Sequence, residues 1–310
     1  MNSSRRFATT SSGSSDALWL AREGARQRPL LILTASAQDA ERLREEMAWL
    51  DPKLRVHRLP DWEILPYDQF SPHPDLVSER LATLWQFANG DFDAGIVPVT
   101  TALQRLPPKA YLAGRTFHLK AREKLDLDAL RAQLVLAGYA HVQQVMSPGE
   151  FCIRGGLVDL SPTGSAVPYR IDLLGDEIET IRTFDVDNQR SIYPVSEVRM
   201  LPAREFPLDE EGRATFRNAF RERFEGDPSK SRIYKDVTNG IAPAGVEAYL
   251  PLFFDATATL FDYLPPETTC VIHGDVPEAA EGFWRDLKSR YDLLHGDRDR
   301  PLLAPRLRPR

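Results

Sequence analysis

An apolar run that leads directly into an amphipathic helix is the feature that most constrains how this chain can fold. Residues 29–35 read PLLILTA and end in small side chains. After them Ala40, Leu43, Met47 and Leu50 recur at helical spacing. A buried strand followed by an amphipathic helix is the repeating unit of α/β proteins, so the sequence predicts that fold class at its N-terminal end.

The same unit recurs along the first third of the chain. An extended segment at 56–60, VHRLP, precedes a helix marked by Leu81 and Leu84, and a third strand is predicted at 95–100, GIVPVT. Strands that alternate with helices form mainly parallel sheets. Residues 1–115 are therefore predicted to form an α/β domain of the nucleotide-binding type.

The pattern changes in residues 116–200. Residues 116–123 alternate in polarity, residues 125–139 have helical periodicity, and several closely spaced extended runs follow, separated by glycine-containing turns such as Gly155-Gly156. This order predicts an inserted α+β domain in which one helix packs against a mostly antiparallel sheet.

Helical patterning returns after Pro207, with a strand-like segment, TTCVIHGD, between two helices. Residues 201–297 are predicted to form a third part that packs back on the first. Residues 298–310 end the chain, and the stretch DRDRPLLAPRLRPR contains five arginines and three prolines. That composition is typical of a solvated linker or tail.

Composition limits the possible functions. A length of 310 residues predicts two or three domains, and no apolar stretch reaches membrane-spanning or signal-peptide length, which indicates a soluble, cytoplasmic protein. Cys152 and Cys270 are too few and too distant for a disulfide framework or a zinc site, so no metal is expected. A net charge of −6 argues against a surface that wraps nucleic acid.

An α/β domain of this type raises the question of a phosphate loop, whose pattern is G-x-x-x-x-G-K-[ST]. Among residues 8–15, ATTSSGSS, the first glycine is replaced by Ala8 and the lysine by Ser14, while Gly13 and the hydroxyl of Ser15 remain. A degenerate loop and a simple Ser-rich N-terminus are both compatible with this segment. Both interpretations predict that the chain does not hydrolyse ATP and needs no cofactor.

An acidic and aromatic loop, DWEILPYDQF, follows the second predicted strand. Its Asp61, Glu63 and Asp68 lie close together in sequence, but such loops are more often structured surface turns than acid/base pairs. No catalytic role is predicted for them.

Several strings along the chain resemble a known family. LPDWEILPYDQFSPHPDLVSERLATL at 59–84 is similar to the start of the bacterial transcription-repair coupling factors, the Mfd family. The segment from Gly149 to Asp185 resembles the part that this family shares with the excision-repair protein UvrB. LPAREFP and PAGVEAYLPLFF match further landmarks in the same order, so the resemblance extends from about residue 28 towards the C-terminus.

The resemblance implies a UvrB-like module of three domains, called 1A, 2 and 1B, for residues 1–115, 116–200 and 201–297. It implies that domain 2 binds UvrA and so recruits excision repair to a stalled RNA polymerase. The polymerase-binding domain and the ATP-driven DNA translocase of the family would lie beyond the part matched here. Two departures from UvrB are visible: Ser14 stands at the lysine position, and only ten residues separate Tyr67 from Ser78, where UvrB inserts its damage-probing hairpin.

The resemblance also implies a binding surface for UvrA. Arg154 and Arg170 match family arginines that contact UvrA, and Leu174 stands where the family has an aromatic contact. A guanidinium suits this task because its fixed fork of donors matches a carboxylate. The alternative is that both arginines keep an exposed sheet soluble and pair with Asp172 or Asp176.

Two other functions remain open at this point. The chain could be an active ATP-dependent, damaged-DNA-binding protein of the UvrB or helicase class, which the missing lysine after Gly13 counts against. It could also bind DNA directly through the arginine-rich tail at 298–310. The adaptor that binds UvrA without chemistry of its own is the preferred hypothesis.

Overall fold

The computed structural model describes residues 13–297 and 299–305. Within them the chain has a mixed α/β architecture, with one four-stranded, one six-stranded and one two-stranded sheet. The helices are α1 (Ser15–Arg26), α2 (Ala37–Leu50), α3 (Pro74–Asn89), α4 (Val99–Ala102), α5 (Lys109–Gly114), α6 (Leu127–Leu136), α7 (Glu210–Arg223), α8 (Arg232–Thr238), α9 (Leu260–Tyr263) and α10 (Val276–Leu294), with 3₁₀ turns at Pro228–Lys230 and Val246–Leu252.

The four-stranded sheet is entirely parallel, as the alternation of strands and helices predicted. Its strand order is β12-β1-β3-β2. One strand comes from far along the chain, because Leu30 pairs with Ala94 on one side and with Thr269 on the other. The strands are β1 (Leu30–Thr34), β2 (Val56–Arg58), β3 (Ala94–Pro98) and β12 (Thr269–His273).

Both faces of this parallel sheet are covered. On one side α1 and α2 pack on it through a core that includes Leu20, Leu43 and Met47. On the other side α3 contributes Leu81 and Leu84 to a second core. The third predicted strand ends earlier than expected, because the chain begins α4 directly after Pro98, so the last two residues of the predicted 95–100 strand are helical.

The six-stranded sheet is antiparallel except for the pairing of its short strand β5 with β6. One helix, α6, covers one face, where Leu130 and Leu134 pack with Phe151, Val158 and Ile171. This confirms the predicted packing of one helix on a mostly antiparallel sheet. The order is β10-β9-β8-β7-β6-β5, with β5 (Ala140–His141), β6 (Glu150–Arg154), β7 (Leu157–Ser161), β8 (Tyr169–Leu174), β9 (Glu177–Phe184) and β10 (Ser191–Val195).

A two-stranded ribbon stands where the chain enters and leaves this region. Strand β4 (Phe117–Lys120) pairs antiparallel with β11 (Glu197–Met200). Leu119, Val198 and Met200 of the ribbon belong to the same core as α6. The entry and the exit of residues 117–200 therefore lie side by side.

The segment after Pro207 has an aromatic core of its own. Phe216 and Phe220 of α7 pack with Phe206, Tyr234 and Phe253. The segment also reaches back to the parallel sheet, to which it supplies β12. Residues 201–297 are thus split between an aromatic cluster and one strand of the first sheet.

A buried ion pair joins the parallel-sheet region to the exit of the ribbon. Arg80 of α3 is fully buried, and its Nε lies 2.6 Å from Oε1 of Glu205. Arg80 Nη1 donates to the carbonyl of Pro60 at 2.7 Å, and Trp62 Nε1 donates to Glu205 at 3.2 Å. Nearby, the Gly164 amide donates to Ser78 Oγ at 2.8 Å. The two sheets are connected by satisfied, buried polar contacts.

The prediction that the C-terminal stretch is a solvated linker is wrong for its described residues. Tyr67 donates its hydroxyl to the carbonyl of Leu303 at 2.8 Å, and Tyr249 donates to that of Pro301 at 2.9 Å. Leu302 is buried, and Arg300 donates to two loop carbonyls. The arginines and prolines dominated the composition, but tyrosine donors and an apolar contact fix this part of the chain. Residues 306–310 lie outside the described residues.

Candidate functional site

The six-stranded sheet has one face on α6 and an opposite face that α6 does not cover, which we call the open face. Side chains alternate between the faces of a strand. Phe151, Ile153 and Ile171 point into the core with α6, so their sequence neighbours point the other way. The open face therefore carries the side chains of Cys152, Arg154, Asp159, Arg170, Asp172, Leu174, Thr180 and Arg182.

Asp159 is the buried centre of this face, with 1% of its surface exposed. Its Oδ2 lies 2.5 Å from Arg154 Nη2, and its Oδ1 lies 2.7 Å from Arg170 Nε. Arg170 Nη2 adds a second contact to Oδ2 at 3.0 Å. The structure thus brings the two predicted arginines together on a single carboxylate.

Arg170 is held on three sides. Besides its bidentate pair with Asp159, its Nη1 donates to the Gln189 carbonyl at 2.9 Å, and its guanidinium lies 4.9 Å from the ring centre of Phe184. The hydrogen bonds that Arg170 donates to Asp159 outweigh desolvation and raise the pKa of Arg170 above its ordinary value. Gln189 itself has a left-handed backbone with φ of 59°, a strained conformation that orients its carbonyl towards the arginine. Only 16% of the Arg170 side chain is exposed.

Arg154 and Leu174 are much more accessible. Arg154 ends β6 just before the Gly155-Gly156 turn, and half of its side chain is exposed (50%). Leu174 ends β8 before the next turn, where Gly175 has φ of 67°, and it is 72% exposed. An exposed leucine and an exposed arginine on the same face of one sheet offer a partner an apolar contact and a forked cation.

The alternative pairing predicted from the sequence is wrong in its partners. Asp172 accepts a hydrogen bond from Thr180 Oγ1 at 3.1 Å, and Asp176 accepts one from Lys124 Nζ at 2.8 Å. Asp159 takes both arginines instead. Its position was readable in principle, because an aspartate in the strand LVDLS at the open-face parity is unusual unless a cation faces it.

Sequence analysis also missed Arg182. This exposed side chain lies in β9, directly opposite Arg170 in the strand register. The signal that could have found it is the strand alternation of IETIRTF, which places Arg182 on the face opposite to Ile181.

The described part of the segment that was compared with a phosphate loop lies beside charged side chains of the chain itself. Gly13 has φ of 64°. Ser14 occupies the N-cap position of α1 without a side-chain capping hydrogen bond, and Ser15 is the first residue of the helix. Ala8 lies outside the described residues. In the first turn of α1, Asp16 Oδ2 lies 2.7 Å from Arg42 Nη2 and 2.8 Å from His273 Nε2.

The neighbours of Asp16 strongly favour its ionised form. Burial by itself raises the pKa of Asp16, but the hydrogen bonds from Arg42 and His273 outweigh it and lower that pKa to about 2. A permanent carboxylate therefore occupies the helix N-terminus at which a phosphate would bind in a working loop. His273 ends β12, so the cluster lies at the carboxyl edge of the parallel sheet.

The acidic and aromatic loop at 61–68 forms one wall of a cavity of about 760 Å³ at the same edge of the sheet. The other walls include Trp284 and Leu287 of α10. Asp61 accepts hydrogen bonds from the hydroxyls of Thr100 and Thr101 at 2.8 and 3.3 Å, and Asp68 pairs with Arg290. Asp61 and Asp68 thus make structural contacts with other parts of the chain, as expected for a structured loop.

Two other features bear on possible sites in the described residues. No group of three or more His, Cys, Asp or Glu side chains is arranged there to hold a metal ion. Of the helices that the structure describes, none is both long enough and apolar enough to cross a bilayer.

Comparison with known proteins connects these observations to a family. A family model described as the UvrB interaction domain matches residues 117–206, which include all six strands of the open-face sheet. The chain is 43% identical over 278 residues, 89% of its length, to the transcription-repair-coupling factor of Escherichia coli strain K12, of which it covers 24%. The corresponding protein of Haemophilus influenzae is 42% identical over 90% of this chain, which again covers 24% of that relative.

A more distant relative gives the same picture. The transcription-repair-coupling factor of Myxococcus xanthus is 33% identical over 92% of this chain, and the chain covers 25% of it. The chain therefore spans about a quarter of the length of the curated relatives that it matches.

Proposed function

Because this chain belongs, over nine-tenths of its sequence, to the N-terminal region of the transcription-repair-coupling factor family, we propose that it is a non-catalytic adaptor that binds UvrA. In the context of a longer factor, it recruits UvrA to a stalled RNA polymerase. Contacts to polymerase and to DNA are assigned to regions outside this chain.

The open face of the antiparallel sheet carries this proposal. Arg154, Arg170 and Leu174 share that face, and a buried carboxylate fixes both arginines at 2.5 to 2.7 Å. Binding groups that are already ordered lose little conformational entropy when a partner docks. A sheet also positions side chains more precisely than a loop does. The face is therefore suited to a protein partner that presents carboxylates.

The parallel sheet supports the non-catalytic part of the proposal. We assign it to the RecA-like type found in UvrB, with a nucleotide site that has decayed. Ser14 cannot supply the positive charge of the missing lysine, and Asp16 places a negative charge at the start of α1. Both features oppose the alternative function of an ATP-dependent, damaged-DNA-binding protein.

The domain boundaries follow the same proposal. Residues 1–115 form domain 1A, residues 116–200 the UvrA-binding domain 2 and residues 201–297 domain 1B, and the described residues 299–305 pack against the loop that contains Tyr67. The family match ends at residue 206, six residues beyond the proposed end of domain 2, and the buried Glu205 lies in that interval. Strand β12 ties domain 1B to the sheet of domain 1A.

A titration of purified UvrA against the chain tests the proposal. Arg154→Ala should weaken binding by at least about tenfold, or roughly 1.4 kcal/mol, because it removes a charge-assisted contact and strands a carboxylate of the partner. The free energy of unfolding should fall by no more than about 1 kcal/mol, because Arg154 is half exposed and Arg170 keeps its two contacts to Asp159 in this variant.

The matched control is Arg131→Ala. Arg131 lies on α6, on the covered side of the sheet, and its side chain is 48% exposed, close to the 50% of Arg154. The Arg131→Ala variant should bind UvrA as tightly as the wild type does. The proposal fails if the wild-type chain does not bind UvrA, and the assigned face is wrong if Arg154→Ala binds as tightly as Arg131→Ala.

A further inference from the structure

We propose that Arg182 is a third partner-contacting residue of the open face, and that Arg170 acts between Arg154 and Arg182 as a positioning residue. This inference rests on the proposed function and assigns roles within its binding surface. Arg154 and Arg182 supply the cations that reach the partner, and Arg170 keeps the sheet between them fixed.

The strand register places Arg182 in this surface. Cys152 pairs with Asp159, Asp159 with Arg170, and Arg170 with Arg182, so the four residues form one row across β6, β7, β8 and β9. Residues opposite each other in an antiparallel pair have Cβ atoms about 5 Å apart. Arg182 is therefore a direct neighbour of Arg170 and lies on the same face.

The charges along this row do not balance at Arg182. Like charges directly opposite each other on neighbouring strands are destabilising. Asp159 is already shared by Arg154 and Arg170, and Asp172, diagonal to Arg182, accepts from Thr180. On its other side Arg182 faces Pro194. No hydrogen bond or ion pair engages the Arg182 guanidinium within the part of the chain that the structure describes.

An unpaired cation beside another cation weakens the free sheet, so its natural counter-charge has to come from outside. A carboxylate of a docked protein would relieve the repulsion and pair with a donor fork that is still free. Arg154, half exposed on the same face, donates through Nη2 to Asp159 and offers the partner the rest of its guanidinium. The surface thus fits a partner segment with at least two carboxylates and an apolar side chain that reaches Leu174.

Arg170 is unsuited to be the main contact. Its guanidinium is committed to Asp159, to the Gln189 carbonyl and to the Phe184 ring, and only 16% of the side chain is exposed. It acts through its neighbours by holding Asp159, and hence Arg154, in place.

The test measures UvrA affinity, its salt dependence and the melting temperature for Arg182→Ala, Arg182→Glu and the control Arg131→Ala. Arg182→Ala should weaken binding at least about fivefold, flatten its dependence on salt, and leave the melting temperature equal or higher. Arg182→Glu should weaken binding further yet raise the melting temperature, because a carboxylate opposite Arg170 replaces repulsion between two cations by attraction. If Arg182 had a purely structural role, its replacement would lower both the affinity for UvrA and the melting temperature.

The outcomes separate this inference from the proposed function. If Arg154→Ala weakens UvrA binding but Arg182→Ala does not, Arg182 is not a contact and the adaptor function stands. If Arg182→Ala weakens binding and also lowers the melting temperature, its role is structural and the inference fails. If the wild-type chain does not bind UvrA, both proposals fail together.

Discussion

Two carboxylates in this chain have almost the same immediate surroundings and opposite consequences. Asp16 lies between Arg42 and His273, and Asp159 lies between Arg154 and Arg170. At Asp16 the basic groups come from α2 and β12 and close over the start of α1. At Asp159 they come from β6 and β8 of one sheet and leave Arg154 exposed to solvent.

The difference follows from the kind of sheet that holds each cluster. A parallel sheet is covered by helices on both faces, and at its carboxyl edge Asp16 and Arg42 remain 19% and 36% exposed while their partners come from separate elements of the chain. An antiparallel sheet can leave one face uncovered. The same arrangement of a carboxylate between two basic groups therefore lies at the start of α1 in one region, and on a sheet face with an exposed guanidinium in the other.

Removing Asp159 should have the largest effect and would sharpen this comparison. Asp159→Ala leaves the largely buried Arg170 without its counter-charge, and breaking a buried ion pair costs about 3–5 kcal/mol. Denaturant unfolding should show this loss, together with weaker UvrA binding. Asp172→Ala, which removes a less buried open-face carboxylate, is the control. A loss below about 1 kcal/mol for Asp159→Ala would show that the cluster is not the buried centre of that face.

Removing Asp16 should have a smaller, pH-dependent effect. The folded pKa of about 2 lies below the ordinary value of 3.8, so the stabilisation is complete above pH 3.8 and is lost as the pH falls towards 2. The shift corresponds to about 2 kcal/mol at neutral pH. Asp16→Asn should therefore lower the free energy of unfolding at pH 7. The difference in unfolding free energy between this variant and the wild type should become smaller as the pH falls towards 2. A difference that is constant from pH 7 to pH 2 would contradict this interpretation.

Adding nucleotide should have the smallest effect. If the Asp16 cluster fills the former phosphate site, millimolar ATP with magnesium should leave the melting temperature unchanged. A ligand at a hundred times its Kd would stabilise the fold by about 2.7 kcal/mol, which a thermal melt detects easily. Saturable, micromolar ATP binding would break the comparison, because the first cluster would then be an active site.

The local pattern of the sequence predicted most of the elements but few of their long-range pairings. PLLILTA and the helix after it gave β1 and α2, since apolar periodicity is a local property. Local pattern could not assign β12 to the first sheet, because Leu30 and Thr269 meet only in the folded chain. Strand β10 has no such local signal, because its side chains are mostly exposed and no apolar alternation marks it.

The candidate site shows the same limit. The family resemblance led to Arg154 and Arg170, but their shared carboxylate depends on the register between β7 and β8. Residue type alone could not distinguish Asp159 from Asp172 or Asp176 as the partner. Nor could it show that Arg80 and Glu205 form a buried pair, since 125 residues separate them.

That buried pair also determines how the open face is oriented. The chain enters and leaves the antiparallel-sheet region through the adjacent strands β4 and β11. Close to where it leaves, Arg80 and Glu205 form their buried pair, and Trp62 donates a hydrogen bond to Glu205. Rotation of the antiparallel sheet about this connection would separate Arg80 from Glu205, and breaking a buried ion pair costs several kilocalories per mole. We therefore expect the antiparallel sheet to keep a fixed orientation relative to the parallel-sheet region. A protein bound to the open face would then keep the same orientation relative to the parallel-sheet region whenever that region moves.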